Sequence, residues 1–512
     1  MINLSKRKKQ NIKREEMIMK RRAAKLMALS LAATMSLSMA ACGDGSEASS
    51  KSTSDNSTAS TSNKGNESSD DDKVITYWNI GTEGADKEAL QYAVDEFNKN
   101  TESGYTVEYV PTQNDNYKEK LVIAMSSGEC PDMYTSWSGG PMNEYIDSGF
   151  AQPLDDLYEE YGLKDIYMDA ALAQATYNGK LYAVPTYNVS LAGIFYNKEM
   201  FEKYNMEVPT TVSELEAICD KFVEEGITPF ALANAPKWTG SMYFQCLAAR
   251  KGGLKPFQDA VAGTGTFEDE CFQYAGEKIQ EWVNKNYFPE GVNSLSEDDG
   301  QAKQLMYQET AAMLLCGSWY TGTFSSDSPE FYEKIGWFSF PAVDGSDADA
   351  SIQIGTIGDQ FVSFNCTGEK LKAAFECASY YSSEGALDLM VEVGKIPPTK
   401  NAGDLVTDGV TKQILDAATG ASSVQLWYDQ YLPPAVAQAH LDSCQELFGL
   451  TTTPEEAGKT QMRAGGKIFR TGDKIIQNKN KDGISNGDMG FIREIYLDED
   501  GMEKAELEFS DG

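Results

Sequence analysis

Six places in the chain set a large aromatic side chain against a polar one: Trp78-Asn79, Trp137-Ser138, Tyr187-Asn188, Trp238-Thr239, Ser318-Trp319 and Trp427-Tyr428-Asp429. Five of the seven tryptophans are among them. A planar ring stacks on an apolar ligand face, and a neighbouring amide, hydroxyl or carboxylate hydrogen-bonds the polar edge. That is the chemistry of non-covalent capture. Any one of these tryptophans could equally pack a core; their placement at expected strand ends or in loops favours a site. Glu83, Asn114 and Asp359 are further polar candidates in loops. Covalent chemistry is poorly supplied. His440 is the only histidine, which argues against imidazole-based nucleophilic catalysis and His-rich metal sites. It lies in a helical stretch and reads as a surface or packing residue. Neither a metal nor a cofactor is called for.

The elements that must position these side chains alternate. Val74–Asn79 reads as a strand, and Leu90, Ala93, Val94 and Phe97 fall on one helical face behind it. Tyr105–Val110, a helix over Tyr117–Ser126 and a strand over Pro131–Trp137 follow. This is the signature of an α/β fold with a mostly parallel sheet, in which ligands lie beyond the carboxyl ends of the strands. The alternation restarts after residue 201. Val212–Glu225 is an amphipathic helix, with Thr211 and Glu214 spaced as a capping box. Strands are expected at Ile227–Ala233, Thr310–Leu315, Ile335–Pro341 and Gln360–Phe364, with helices at Ser241–Ala249, Phe272–Val283, Glu369–Ser382, Leu387–Val393 and Pro434–Phe448. Between the two runs lies Asn178–Phe201. Its Asn-Gly turn, its Pro185-broken pair of strands and polar Thr186, Tyr187 and Asn188 at the break suit a chain crossing between two lobes.

Length and charge narrow the setting. A chain of 512 residues exceeds one compact core, so two or more lobes are expected. The 44 Lys and Arg against 78 Asp and Glu give a formal net charge of −34, which opposes binding to nucleic acid or an anionic membrane surface through basic patches. Residues 1–41 carry a basic stretch (Lys20, Arg21, Arg22, Lys25) and a short apolar run, as an export signal does. The run ends Met39-Ala40-Ala41-Cys42-Gly43, which resembles a bacterial lipobox. That resemblance implies lipidation of Cys42. Residues 42–73 are Ser-rich and nearly devoid of apolar side chains, so a disordered tether is expected. The other eight cysteines are spread evenly over a large domain, which favours buried free thiols over a disulfide framework.

Six further pieces, taken in order, carry a family likeness: NGKLYAVPTYN, GIFYNKEMFEKYNMEVPTTVSELE, GITPFALAN, ETAAMLLCGSW, GKIPPTK and WYDQYLPPAVAQAHLDSCQELFGLTTTPEEA. From about residue 74 to 461 the chain resembles the extracellular solute-binding proteins (family 1) of carbohydrate ABC importers. The resemblance implies a two-lobed, periplasmic-binding-protein-like α/β fold with a hinge, closing on a sugar such as an oligosaccharide. The lobes would comprise 74–186 with 350–420, and 187–349 with 421–461. A sugar offers hydroxyl edges and C–H faces, so Trp78, Asn79, Glu83, Asn114, Trp137, Tyr187, Asn188, Trp238, Trp319, Asp359, Trp427 and Asp429 become its expected partners. The ABC permease subunits and the membrane, through Cys42, are the other expected partners, on the outer face of the cell membrane. A secreted glycoside-acting enzyme is the alternative, but no motif pairs two carboxylates.

The end of the chain breaks the pattern. The family resemblance implies a closing amphipathic helix after TPEEA, and the sequence cuts it short within Gly458–Gly466. Residues 467–512 turn to β patterning, with strands expected at Phe491–Leu497 and Lys504–Phe509 and an Asn486-Gly487 turn. FRTGDKIIQNKN and SNGDMG resemble a C-terminal fragment of DNA helicases of the exonuclease V alpha-subunit kind. The expectation is a fusion artefact, with a genuine short β appendage as the alternative. A DNA-helicase function has no ATP site to support it: Thr453 holds the first glycine position of the loop-like TPEEAGKT. Tyr496 likewise spoils a calcium loop at Asp498–Gly501.

Overall fold

A computed structural model describes residues 73–407, 409–465, 474–476, 489–497 and 503–509, all within one compact unit, Ser68–Gly512. The expected signal, Cys42, the tether and the Asn486-Gly487 turn lie outside the described residues.

The first sheet grows from β1 (Val74–Asn79), whose Ile75, Tyr77 and Asn79 point inward by the period of two. β1 pairs in parallel with β2 (Thr106–Pro111) and β3 (Met133–Ser136). Helix α1 (Gly84–Asn100) covers the sheet with Leu90, Ala93, Val94 and Phe97, and α2 (Asn114–Ser127) follows β2. Asn178 (φ 48°) and Gly179 (φ 78°) turn a hairpin between β4 (Thr176–Tyr177) and β5 (Lys180–Leu181). Two left-handed residues in a row is what this tight turn demands. β6 (Ala183–Pro185) then joins the edge of the sheet, whose order is β2-β1-β3-β12-β6, with β12 spanning Phe361–Phe364.

The second sheet is organised on β7 (Val189–Asn197), a nine-residue, almost fully buried strand. β8 (Thr228–Phe230), β9 (Ala311–Gly317), β10 (Ile335–Ser339), β11 (Gln353–Ile357) and β13 (Val424–Gln425) complete it, with β9, β10 and β11 all antiparallel to β7. Its core is the larger of the two. α3 (Val212–Glu224) starts in the capping box read from Thr211 and Glu214. α4 (Trp238–Gly252) is buried on nearly every side, and α5 (Glu270–Asn284) packs beside it. Among the described residues no helix is long and apolar enough to cross a membrane.

Among the described residues three segments cross between the sheets. Thr186–Asn188 joins β6 to β7, and Gly358–Gln360 joins β11 to β12 (Phe361–Phe364). The third, 393–400, leaves α6 (Glu384–Glu392) of the first lobe and leads to α7 (Gly409–Gly420), which packs on β10 and β7. The lobe boundary expected at residue 350 is therefore corrected. β11 hydrogen-bonds to β7, and Ile396, Val406, Ile414 and Leu415 bury in the second core. Only about 361–393 of the interval 350–420 belongs with the first lobe.

His440, on α8 (Pro434–Phe448), is fully buried, so of the surface and packing readings the structure holds packing. One more expectation changes. The closing helix is present as α9 (Pro454–Gly465), packed on α8 and α5, with Gln461 bonding His440 Nδ1 at 3.3 Å. All eight described cysteines are free thiols, seven of them buried. At the end of the chain β14 (Lys474–Ile476), β15 (Met489–Leu497) and β16 (Glu503–Phe509) form a separate antiparallel sheet.

Candidate functional site

The carboxyl ends of β1, β3 and β9, two of the crossings and the segment after β13 converge on one cavity of about 220 Å³. Its aromatic wall belongs to the second lobe. Trp319 follows β9 and touches two other tryptophans edge to face: Trp238 with ring centres 5.8 Å apart, and Trp427 at 6.0 Å. Gly317 makes this possible, because a Cβ there would overlap the Trp319 ring. Trp137 faces them from the first lobe, braced edge-on by Tyr117 at 5.9 Å. Such rings offer flat apolar surface at low entropic cost.

The polar half of the site is dense in carboxylates. Asp359 stands in the second crossing at φ 49°, a left-handed conformation uncommon for a side-chain-bearing residue. Burial pushes its pKa up to about 7, helped by Asp86, while Lys395 opposes. Burial likewise raises Glu297 to about 7, even though it accepts a hydrogen bond from the Tyr320 hydroxyl. Burial also raises Asp429. Lys395, fully buried in the third crossing, holds three groups at once. It pairs with Asp86 at 2.8 Å, donates to the Trp319 carbonyl at 2.9 Å and lies 4.7 Å over the Tyr187 ring, whose hydroxyl also donates to Asp86.

The two lobes meet at the mouth. The first turn of α2 gives its Asp115 N–H to the Asp298 carboxylate at 3.1 Å, where the positive end of the helix favours an anion. Trp238 Nε1 donates to Asp115 at 3.4 Å. Inside, the side-chain oxygens of Gln360 and Gln430 are buried acceptors without a partner among the described residues. Buried polar atoms are rarely left so, and acceptors of this kind suit a ligand's hydroxyl or amide donors.

Nine of the twelve expected residues line this cavity: Glu83, Asn114, Trp137, Tyr187, Trp238, Trp319, Asp359, Trp427 and Asp429. Three do not, and each is corrected for a local reason. Period-two alternation turns Trp78 to the opposite face from Tyr77 and Asn79, where Lys120 sits 3.7 Å over its ring. Asn79 is buried, accepting from Gly81 N–H at 2.9 Å to shape the following loop. Asn188 accepts from Ile396 N–H at 2.7 Å and so ties the first crossing to the third. Trp238 begins α4 instead of standing in a loop. Sequence reasoning missed Asp86, Lys118, Glu297, Gln360, Gln430 and Lys395. Lys395, Gln360 and Gln430 left a trace, the first within GKIPPTK, the second beside Asp359 and the third beside Asp429 in WYDQYLPP. Among the described residues no group of three or more His, Cys, Asp or Glu could hold a metal ion. The arrangement can bind and enclose a ligand.

Known proteins are similar to this chain in sequence and in fold. The family model for bacterial extracellular solute-binding proteins matches residues 81–388. An uncharacterized ABC transporter extracellular-binding protein of Pyrococcus horikoshii is 26% identical over 395 residues, covering 76% of this chain and 85% of the relative. The multiple sugar-binding protein of Streptococcus mutans is 25% identical over 352 residues, 65% of this chain and 77% of its own. A solved structure from work on xylan utilization by Caldanaerobius polysaccharolyticus superposes with a TM-score of 0.71 at 30% identity, covering 77% of this chain and all of that one.

Proposed function

Because the chain belongs to the bacterial extracellular solute-binding protein family, we propose that it captures a sugar, an oligosaccharide in particular, and delivers it to an ABC importer. The observation that carries the reading is the cavity between the sheets, where Trp319, Trp238 and Trp427 form one continuous aromatic surface opposite carboxylates and two unpartnered glutamine oxygens. Rings supply the stacking surface for sugar C–H faces, and the oxygens accept from its hydroxyls. The relative from Streptococcus mutans, a multiple sugar-binding protein, supports the same ligand class. In this reading Trp137, Tyr187, Asp359, Asp429, Glu83 and Asn114 complete the ligand shell. The three crossings act as the hinge, and capture closes the lobes about it.

Around this core the remaining parts fall into place as parts of the same proposal. Cys42 is the lipid attachment point and residues 42–73 the leash that keeps the binding unit outside the membrane. Permease subunits receive the closed, loaded form. The protein performs no catalysis, and residues 467–512 are a foreign β segment joined after the binding unit. One observation favours a glycoside-acting enzyme instead: two cleft acids, Glu297 and Asp359, sit near pKa 7, as catalytic acids often do. Release of product from chromogenic glycosides would support that alternative. Titration of the protein with neutral oligosaccharides, followed by tryptophan fluorescence, tests the binding reading. A saturable change supports it, and a flat response across a broad panel overturns it.

A further inference from the structure

Lys118 reaches into the cleft from α2 of the first lobe. Its ammonium lies 5.0 Å from the centre of the Trp137 ring and 5.9 Å from that of Trp238. Asp298 and Asp429 of the second lobe and Asp359 of the second crossing line the same cavity as Lys118. Burial raises the pKa of all three carboxyls, and Lys118 pulls each one back down; Asp359 feels Lys395 as well. Among the described residues none of the three acids makes an ion pair. The neighbouring cations are already committed, Lys303 to Asp327 at 2.7 Å and Lys395 to Asp86 at 2.8 Å. An independent feature of the same cavity is the Gln360 side-chain oxygen, on a residue 3% exposed, which has no hydrogen-bond partner among the described residues. It asks for an uncharged donor such as a hydroxyl or an amide N–H.

We propose that Lys118 sets the charge specificity of the cleft: its ammonium is the counter-ion that Asp298, Asp359 and Asp429 face, so the site admits uncharged saccharides and turns away both uronates and cationic amino sugars. A uronate would bring a fourth carboxylate to a group in which one uncommitted ammonium already serves three. A glucosaminium would need the place over the two indole faces that Lys118 holds, since cations prefer that position and like charges repel. Without Lys118 the same rings and carboxylates become an attractive seat for an ammonium. The proposal rests on the carbohydrate reading for its choice of ligands, and deepens it.

The test titrates the full chain by calorimetry with three probes: N-acetylated chitotetraose, the glucosamine tetramer and tetragalacturonate. The wild type is expected to bind neither charged probe. Lys118→Met should raise affinity for the glucosamine tetramer by about tenfold or more, with a steep salt dependence. Lys118→Arg should keep the wild-type exclusion, and Lys118→Gln serves if the Met variant does not fold. No gain for the glucosamine tetramer in either neutral variant overturns the proposal, as does tight binding of tetragalacturonate by the wild type. If the wild type ignores N-acetylated chitotetraose and the whole neutral panel of the fluorescence titration while Lys118→Met still gains the cationic probe, the carbohydrate reading falls and the charge filter stands.

Discussion

The carboxylate of Asp86 and the ammonium of Lys395 meet at 2.8 Å, joining the first turn of α1 to the third crossing. Lys395 is fully buried and also holds the Trp319 carbonyl. One side chain thus fixes a crossing, the first lobe and the aromatic wall together. Lys395→Met should leave Asp86 and that carbonyl short of a partner. Removing one member of a buried pair costs about 3–5 kcal/mol; Asp86 is a third exposed, so a loss nearer about 2 kcal/mol is expected here. Urea denaturation of the wild type and variant checks the figure. An unchanged midpoint would mean that the pair contributes nothing net.

Gly317→Ala places a methyl group where the Trp319 ring lies. The ring must move, because overpacking costs about 1–3 kcal/mol and the backbone of β9 is held by β7 and β8. The expected outcome is a shifted tryptophan emission spectrum together with saccharide affinity reduced by about tenfold. Emission and affinity both unchanged would show that the Trp319 position is not set by this glycine.

His440 gives the fold a pH dependence of known sign. Its ring is enclosed by Phe244 and Tyr428, bonds Ser241 Oγ at 2.7 Å and Gln461 at 3.3 Å, and lies beside Cys444. Burial pushes its pKa down from 6.5 to about 4, Gln461 opposing. The unfolded chain therefore takes up a proton below pH 6.5 while the folded one resists until about pH 4. Stability from this group is complete above 6.5 and drains away as pH falls to 4, by up to about 3 kcal/mol. Asp359 and Glu297, raised to about 7, act oppositely and lose their contribution as pH rises between their ordinary values and 7. Comparing the stability of His440→Gln with the wild type from pH 7 to pH 4 isolates the histidine. Parallel curves would contradict its assignment.

The fold was largely legible because strand, helix and turn signals agreed with one another. The Asn178-Gly179 turn, the Pro185 break and the capping box of Thr211 and Glu214 are local features, and the structure holds all three. What escaped was long-range. β11 joins the second sheet through pairing with β7, a partner more than 150 residues away in sequence, so the boundary at 350 had no local mark. The aromatic half of the site was visible because tryptophan is rare and sat beside polar residues. The charged half was visible only in part: Glu83, Asp359 and Asp429 stood in expected loops, whereas Asp86, Lys118 and Glu297 look like any solvated residue until the lobes bring them together. Trp78 failed for a reason that the alternation of β1 already contained.

Deleting residues 467–512 tests the tail. If the segment is foreign to the binding unit, the shortened protein should keep its thermal midpoint and its saccharide affinity, since α9, with Gln461, remains to cover α8 and α5. A drop of several degrees in the midpoint, worth about 1 kcal/mol or more, would show that the segment stabilises the lobe.

The most direct measurement is calorimetric titration of the wild type and Trp319→Ala with the same panel of neutral oligosaccharides. The wild type should bind at least one of them at micromolar affinity or better, about −8 kcal/mol, and Trp319→Ala should weaken that binding by about tenfold to a hundredfold. Equal affinity in the two proteins, or no heat with any saccharide, would contradict capture of a sugar on the tryptophan wall.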